Sequence, residues 1–534
     1  ESINITMSDT KNTQVELSFT PEYEIVGPQP TKLTFSAHLA APEVVDDPDA
    51  KRSTVSLTAV IDKSGSMKGQ KLKLVKQTCN FMLNQLASND KLGVVEYDSF
   101  VNELIPLSRA TDDFKIEAAA VINRITSGSC TNLSGGLFEG IKQQQTNTFV
   151  DSSFKPPAAG EDPNEPQEAT TTGKEDNPFE PRAVPNKVFQ GREEGARQNV
   201  EDDALRSVFL FTDGLATEGI TNTNELIQAL GQKLDLSPRV RVYTFGFGAD
   251  HSPELLAELA RVGSGTYYFM EKEEAIPTAF ADALGGLLSV AAQNVTVEFK
   301  PAEGVTVSNV HTAFTTTEGG GGARTVAVGD LFSAEGKDLL FEVELGGWEA
   351  GHETGEGQVT VGTLVLSYLD VQGACLCKRE VACTVTRAAA LPAEGVTANE
   401  KVALQKARIE TARSMAEARA AAERGDLSGA RGVVRACLER VQGVQCAEGN
   451  FKFQQQLCSD LLEAESNMVD RERYHSRGAK MMWAKSKAHM DQRSACLSDD
   501  EDEDEEARDE ARFSYANVKQ KAMRGLAKKT VKSS

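Results

Sequence analysis

The sequence predicts an α/β fold with a central, mostly parallel sheet, inserted in or flanked by an antiparallel β-sandwich and followed by a helical C-terminal region. Three observations predict it. From Ser53 to Leu288, short β-like runs alternate with amphipathic helical stretches, the order in which parallel strands are joined by crossover helices. On both sides of that block, apolar and polar residues alternate as half-buried strands require. From Ala398 onward the chain becomes rich in Ala, Arg and Glu and reads as helix.

Residues 1–52 supply N-terminal strands: Val15, Leu17 and Phe19 alternate, as do Leu33, Phe35 and Ala37. Residues 53–290 form the α/β domain. Ser53 to Ile61 is a buried strand, and a helix follows with Leu72, Val75, Cys79, Met82, Leu83 and Leu86 on one face. Next come a strand at Leu92 to Tyr97, an edge strand near Val101 to Ile105, and a helix opening after Thr111, a good N-cap. A further helix runs from Leu133. Strands at Ser207 to Thr212, Val240 to Phe247 and Thr266 to Met270 alternate with helices near Glu225, Pro253 and Glu274. Between about 151 and 200 the pattern fails: seven prolines among Glu, Gly, Asn and Gln bury too little apolar surface to order the segment. It reads as a disordered acidic insertion, either a tolerated loop expansion or a partner-docking loop.

Residues 291–390 return to β-alternation at Val295 to Phe299, Leu339 to Leu345, Val359 to Tyr368 and Val381 to Val385. The economical arrangement is one sandwich built from both flanks, with the α/β domain inserted between its strands. Residues 398–492 are helical. Gly425-Asp426 has the composition of an αα-hairpin turn, and more helix is expected from Lys452 to about His489. The apolar positions there pack on the sandwich or on each other; irregular heptads weigh against a coiled-coil surface. Residues 493–534 form a charged tail, with ten acidic side chains between 499 and 510 and six basic ones between 513 and 534. Such blocks are expected to stay solvated and disordered. Ser498, followed by three acidic residues, suits an acid-directed kinase.

At 534 residues the chain has room for two to four domains. The formal net charge of −22 argues against non-specific binding to nucleic acid or anionic membrane. No apolar run approaches the roughly 20 residues needed to span a bilayer. The nearest, Ala279 to Ala292, is short, contains Asp282 and is expected to be a packed helix. The chain begins at Glu1 without an initiator methionine and shows no signal-peptide pattern, which leaves room for a removed leader or upstream domain. Nine cysteines are too few for a disulfide framework, and their odd number leaves one unpaired. Reduced thiols point to a cytoplasmic protein. Sequons at Asn4, Asn132 and Asn294 keep a secreted protein open as the alternative.

The chemistry lies in three loops. Asp62-Lys63-Ser64-Gly65-Ser66 directly follows the first strand of the α/β block, and ligands of open α/β sheets gather at such carboxyl ends. One carboxylate and two hydroxyls at alternate positions converge on a cation if the chain turns at Gly65. Thr131, after a Gly-Ser-Cys turn, offers a third hydroxyl, and Asp213-Gly214 offers a second carboxylate at the end of its strand. All are hard oxygen donors, which suit Mg²⁺ or Mn²⁺ and not Zn²⁺. Alternatively, these residues cap helices and satisfy buried backbone groups.

On these residues the sequence resembles the von Willebrand factor A superfamily with an intact metal-ion-dependent adhesion site: Asp62, Ser64 and Ser66, then Thr131, then Asp213. The surrounding stretches Thr58 to Met67, Phe209 to Gly214 and Val242 to Gly248 match as well, and the resemblance covers roughly Ser53 to Leu288. It implies a Rossmann-like domain in which the hydroxyls hold the ion directly and the carboxylates hold it through water. The ion then has an open position for an Asp or Glu of a partner protein. A looser likeness, over Leu255 to Phe269 and Leu284 to Val297, is to intracellular proteins of plants, algae and protists with a trailing β-rich domain and a helical hairpin. Some of that group begin with a RING finger and act as ubiquitin ligases. No RING cysteine–histidine spacing occurs in this sequence, so ligase activity is not carried over. One departure stands out: where the family has Gly-Gly before the threonine, this chain has Ser129-Cys130, expected to shift Thr131 or narrow access, and to make the site oxidation-sensitive.

The function expected is therefore a divalent-metal-dependent protein–protein interaction module, not an enzyme. The alternatives are a scaffold with a vestigial site, or the substrate-recognition part of a ubiquitin-ligase-like system lacking its own RING. The six histidines are scattered without metal-ligand spacing, and no P-loop, dinucleotide fingerprint or nucleophile elbow is present. Cys375, Cys377 and Cys383 lack a fourth ligand nearby and are expected to be core or free thiols. His251 is expected to cap the helix starting at Pro253. The partner and the oligomeric state are not legible.

Overall fold

The structure is a computed structural model that describes residues 14–43, 52–145, 204–235, 240–248, 251–270, 272–347, 357–373, 375–391, 395–493, 496–497 and 515–532. The proposed acidic insertion, the acidic run 499–510 and Ser498 lie outside the described residues.

The α/β sheet has seven strands: β4 (Val55–Asp62), β5 (Lys91–Tyr97), β6 (Val101–Arg109), β7 (Leu205–Thr212), β8 (Val240–Phe247), β9 (Ser264–Met270) and β17 (Cys496–Leu497). Their order is β17-β9-β8-β7-β4-β5-β6. All neighbours run parallel except the β5–β6 edge hairpin, as expected for the strand near Val101. Val55, Leu57, Ala59 and Ile61 of β4 face one core with α1 (Gln70–Gln85), α2 (Asp112–Arg124) and α6 (Ile276–Leu287). The alternate residue Val60 faces a second core with α3 (Leu133–Gln145), α4 (Thr223–Asp235) and α5 (Pro253–Val262). Near its start that second face is polar, and α3 satisfies it: Ser56 and Thr58 donate to Gln144 and Gln143 at 2.9 and 3.0 Å. A Cβ on Gly140 would overlap the Val60 side chain, so α3 lies close enough to the sheet to require glycine there.

The flanks do build one sandwich. Its smaller sheet is ordered β1-β3-β14-β11, from β1 (Glu16–Pro21), β3 (Thr31–Ala40), β11 (Val305–His311) and β14 (Gly336–Leu345). The larger sheet is ordered β12-β13-β10-β15-β16-β2. Its strands are β2 (Ile25–Val26), β10 (Val290–Pro301), β12 (Thr315–Glu318), β13 (Arg324–Phe332), β15 (Gly357–Asp370) and β16 (Cys375–Arg387). The antiparallel ladder between β3 and β14 joins chain from before the α/β domain to chain from after it. Phe35 of β3 stacks on Phe341 of its own sheet and packs on Phe299 of the facing sheet, with ring centroids 5.2 and 4.9 Å away. The alternation seen in the sequence is this interdigitated interior.

After the sandwich, α7 (Glu400–Glu423) and α8 (Leu427–Gln442) form the expected hairpin, with Gly425 at φ +90° and Asp426 capping α8 through the Gly429 N–H at 2.8 Å. Two more helices follow, α9 (Phe451–Ser466) and α10 (Ala479–Asp491), the latter entered through a π-helical turn at Tyr474–Gly478. These helices pack on each other, and α7 also docks on the sandwich, where buried Arg408 donates to the Asp338 carbonyl.

The basic end of the chain departs from the expectation of a solvated tail. Val518–Lys532 forms a helix, α11, laid against α6. Gln520, Met523, Arg524 and Ala527 are buried along one stripe, whereas Lys521 is exposed. Composition suggested solvation because lysines dominate it; the helical period hides the four residues that pack. The receiving surface is Asp282, buried in a helix whose twelve residues are all buried. Arg524 pairs with it, Gln520 Nε2 donates to its Oδ2 at 3.0 Å, and the Tyr268 hydroxyl donates to the same oxygen at 3.0 Å. The Ala279 to Ala292 run is thus a packed helix followed by a strand. Among the described residues no helix is long and apolar enough to cross a membrane.

Candidate metal-binding site

Asp62 is the last residue of β4 and is fully buried. Its Oδ1 accepts the Ser64 N–H at 2.8 Å, and its Oδ2 accepts the Thr212 hydroxyl at 2.7 Å. Gly65–Met67 then form a single 3₁₀ turn, which folds the chain back so that the Ser64 and Ser66 hydroxyls lie 3.1 Å apart. Ser66, exposed at the rim, donates to Asp213 Oδ1 at 2.7 Å, and Lys71 from the first turn of α1 donates to Asp213 Oδ2 at 2.6 Å. One continuous hydrogen-bonded run therefore links Thr212, Asp62, Ser64, Ser66, Asp213 and Lys71.

The second loop is fastened to the first by backbone. The Gly65 N–H donates to the Ser129 carbonyl at 2.9 Å and the Gly128 N–H to the Lys63 carbonyl at 2.6 Å. A Cβ on Gly128 would overlap Asp98 Oδ2, so the close approach of Asp98 requires glycine. Thr131 is buried, and its backbone is clamped by the third loop. Its N–H donates to the Thr217 hydroxyl at 2.9 Å, and its carbonyl accepts from Thr217 and Glu218 at 3.0 and 3.2 Å. The structure brings Asp62, Ser64, Ser66 and Asp213 together through side chains and places Thr131 on the same rim through its backbone. Ser129 and Cys130, the bulkier pair in the second loop, are exposed. The Ser129 hydroxyl is bonded to the Ser99 hydroxyl at 3.0 Å.

Burial pushes the Asp62 carboxyl up to about 6; its bonds from Ser64 and Thr212 pull it back, and the neighbouring Asp213 charge raises it further. Lys63, next in sequence, is turned instead to Glu96 at 2.9 Å and leaves Asp62 without a cationic partner. Beneath the pair, the Tyr97 phenol is held well above its ordinary range by burial and then by the Asp62 charge, and donates to the Phe211 carbonyl at 3.1 Å. Two buried carboxylates, one without a countercharge, with hydroxyls beside them, form a donor set of hard oxygens. Among the described residues no three His, Cys, Asp or Glu side chains converge, so any ion here would depend on the hydroxyls as well as the acids.

Sequence reasoning missed Thr212, Lys71, Asp98 and Thr217. Thr212 had a local signal, since it directly precedes Asp213. The other three act across strand or helix boundaries and had none. His251 does not cap α5. Ser252 does, accepting the Leu255 N–H at 3.2 Å, while His251 is buried with its ring nitrogens on the Phe247 carbonyl and the Tyr267 hydroxyl. The three cysteines are free, as expected: Cys383 is buried in the sandwich core, Cys377 is half-buried against it, and Cys375 is exposed beside Cys377.

Residues 57–155 and 174–269 each match a family model of the von Willebrand factor type A domain. The first match holds β4 to α3 and the second β7 to β9, which are the two parts of one continuous sheet. The chain contains a von Willebrand factor type A domain. Its sequence is also similar to the E3 ubiquitin-protein ligase WAV3 of Arabidopsis thaliana, at 24% identity over 303 residues, 55% of this chain and 32% of the plant protein. The chain thus spans about a third of that relative's length. Among solved structures, a von Willebrand factor type A protein from Catenulispora acidiphila aligns with a TM-score of 0.58 at 14% identity, covering 89% of this chain and 99% of that one. The ArnB paralog VWA2 from Sulfolobus acidocaldarius aligns at 0.50 and 16% identity, covering 88% and 99%. At these identities the likeness shows the fold: a type A domain set in a β-sandwich with C-terminal helices.

Proposed function

We propose that the type A domain is a protein-binding module dependent on Mg²⁺ or Mn²⁺, and that Asp62, Ser64, Ser66, Thr131 and Asp213 hold the ion. The observation that carries this reading is the convergence of Asp62 and Asp213 around the Ser64–Ser66 hydroxyl pair, with Thr212, 150 positions along the chain from Asp62, bonded to it, and Ser66, 147 positions from Asp213, bonded to that carboxylate. Both carboxylates are buried, and of the two only Asp213 has a cation beside it, Lys71, so burial leaves the Asp62 charge uncompensated. A divalent ion supplies the missing charge and a coordination position that a partner's Asp or Glu completes.

The residues divide the work. Asp62 and Asp213 set the charge of the site, and their hydrogen bonds to Thr212, Ser64 and Ser66 orient the oxygens. Ser66 stands where interior meets solvent, so an incoming carboxylate arrives on its side of the rim. Phe100 and Leu215 flank these loops with 68% and 56% of their surface exposed, apolar area that a bound protein would cover. Eight described cysteines are unpaired, which suits a reducing, cytoplasmic setting.

The test is capture of partners from the native cell by the full chain in Mg²⁺ and in EDTA, alongside Asp62→Ala and Asp213→Ala. Binding that needs Mg²⁺ and is lost in both variants supports the reading. Binding unchanged by EDTA rejects it and leaves a scaffold whose helices and charged segments make the contacts.

A second reading rests on the plant relative, whose name is that of an E3 ubiquitin-protein ligase. In it, the type A domain recognises substrates for a ubiquitin ligase. Co-purification of a RING protein with the full chain, and ubiquitination of the captured partner only when both are present, would favour it.

A further inference from the structure

The sandwich carries a separate cluster of nucleophilic side chains. Cys375 and Cys377 stand at the start of β16, and alternate residues of a strand share a face. Their Sγ atoms lie 3.7 Å apart. Cys375 is exposed and Cys377 half-buried, and Leu376 between them has 81% of its surface in solvent. The contrast is with Cys383 further along the same strand, which is buried in the sandwich core where no reagent reaches it. On one side β16 pairs with β15 along its whole length; on the other, among the described residues, β2 pairs with it at Thr386 and Arg387 alone, and Val15 reaches it through Arg379 and the Tyr368 hydroxyl. Cys375 stays exposed beside these contacts and is open to a small reagent.

Two thiols alone do not make a tetrahedral metal site, and among the described residues no third or fourth His, Cys, Asp or Glu joins them. The reaction that two thiols complete by themselves is disulfide formation. We propose that Cys375 and Cys377 form a redox-active dithiol that exchanges with disulfides of the glutathione class.

In the first step the Cys375 thiolate attacks one sulfur of oxidised glutathione. The glutathione S–S bond breaks, and one glutathione leaves with the electron pair and takes up a proton. The Cys377 thiolate then attacks the Cys375 sulfur and displaces the second glutathione in the same way. Two protein thiols are oxidised by two electrons, and one glutathione disulfide is reduced to two thiols. The partner sulfur is 3.7 Å away, so the second step needs only side-chain rotation and a small strand adjustment. Residues i and i+2 of a strand have Cα atoms roughly 6.6 Å apart, near the upper end of what a disulfide spans. The bond is consequently strained and readily reduced, which suits a reversible couple and not a structural staple.

The test equilibrates the full chain in glutathione buffers of rising oxidised-to-reduced ratio, traps free thiols by alkylation and maps the peptide holding both residues by mass spectrometry. The expected result is an internal disulfide whose fraction climbs with the ratio and returns to zero in excess reduced glutathione. In Cys375→Ser, Cys377 should instead retain a stable glutathione adduct, since nothing remains to displace it. Full alkylation of both residues across the series, or separate adducts on both without an internal bond, would overturn the proposal.

Discussion

Ser66 donates its hydroxyl hydrogen to Asp213 Oδ1 across 2.7 Å, joining residues 147 positions apart in the chain. The opposite oxygen of the same carboxylate takes the Lys71 ammonium at 2.6 Å. One buried acid is thus shared between a hydroxyl and a cation supplied from within the chain, both from the segment that follows β4.

That sharing sets up a competition. Lys71 neutralises Asp213 in the metal-free arrangement, so an ion using Asp213 must offset the loss of this half-buried ion pair. Removing the ammonium in Lys71→Met should tighten Mg²⁺ binding by roughly fivefold, taking such a pair at about 1 kcal/mol. Isothermal titration of the full chain measures it; an affinity that falls would mean that Lys71 orients Asp213 for the ion and does not compete with it.

Protons compete as well. With the Asp62 carboxyl pushed up to about 6, ion binding should weaken as pH falls through 6, with at most one proton displaced per ion. The sign for stability is opposite in the metal-free chain. Between the ordinary aspartate range of about 4 and the folded value, the folded state holds a proton that the unfolded state has released, so Asp62 destabilises the fold increasingly as pH rises across that window. Urea midpoints at about pH 4 and about pH 7, on either side of that window, for the native chain and Asp62→Asn test this. The variant should gain on the native chain as pH rises, and equal pH trends in the two would refute it.

The second loop has no slack at Gly128, where a Cβ would overlap Asp98 Oδ2. Gly128→Ala should push the loop outward, break the Gly65–Ser129 and Gly128–Lys63 bonds, and weaken Mg²⁺ affinity at least tenfold, because a modest misplacement of supporting groups has that effect. Cys130→Ala, in the same loop but exposed, should leave affinity within about twofold of the native chain, which neutral exposed substitutions typically do. Titration of both variants decides whether the loop matters by its backbone or by its thiol.

Arg524 and Asp282 hold the last helix on the type A domain, and both are buried. Arg524→Ala strands a buried carboxylate and should cost about 3 kcal/mol. Limited proteolysis should then release the segment from Val518 onward while the seven-stranded sheet stays protected. Equal protection of α11 in variant and native chain would show that Met523 and Ala527 suffice to dock it.

Much of this was legible locally. The 3.6-residue period found α1, the alternation of β3 and β14 found the sandwich, and Asp62-x-Ser-x-Ser followed by Thr131 and Asp213 located the rim. What the pattern did not reveal was pairing, since a strand's apolar rhythm says which face is buried and not which neighbour it bonds. Lys71, Asp98 and Thr217 are polar residues on ordinary stretches, and only the loops they meet make them part of the site.

The sequence by itself determined the strand–helix alternation, the β-rich character of both flanks and the chemical character of five oxygen donors, because each depends on short-range periodicity or residue type. Only the tertiary structure decided that β3 closes on β14, that the basic end coils onto Asp282, and that Lys71 sits on Asp213. Each of these joins segments far apart in the chain, where the balance of burial and charge is settled by what folding places opposite a group and not by its neighbours in sequence.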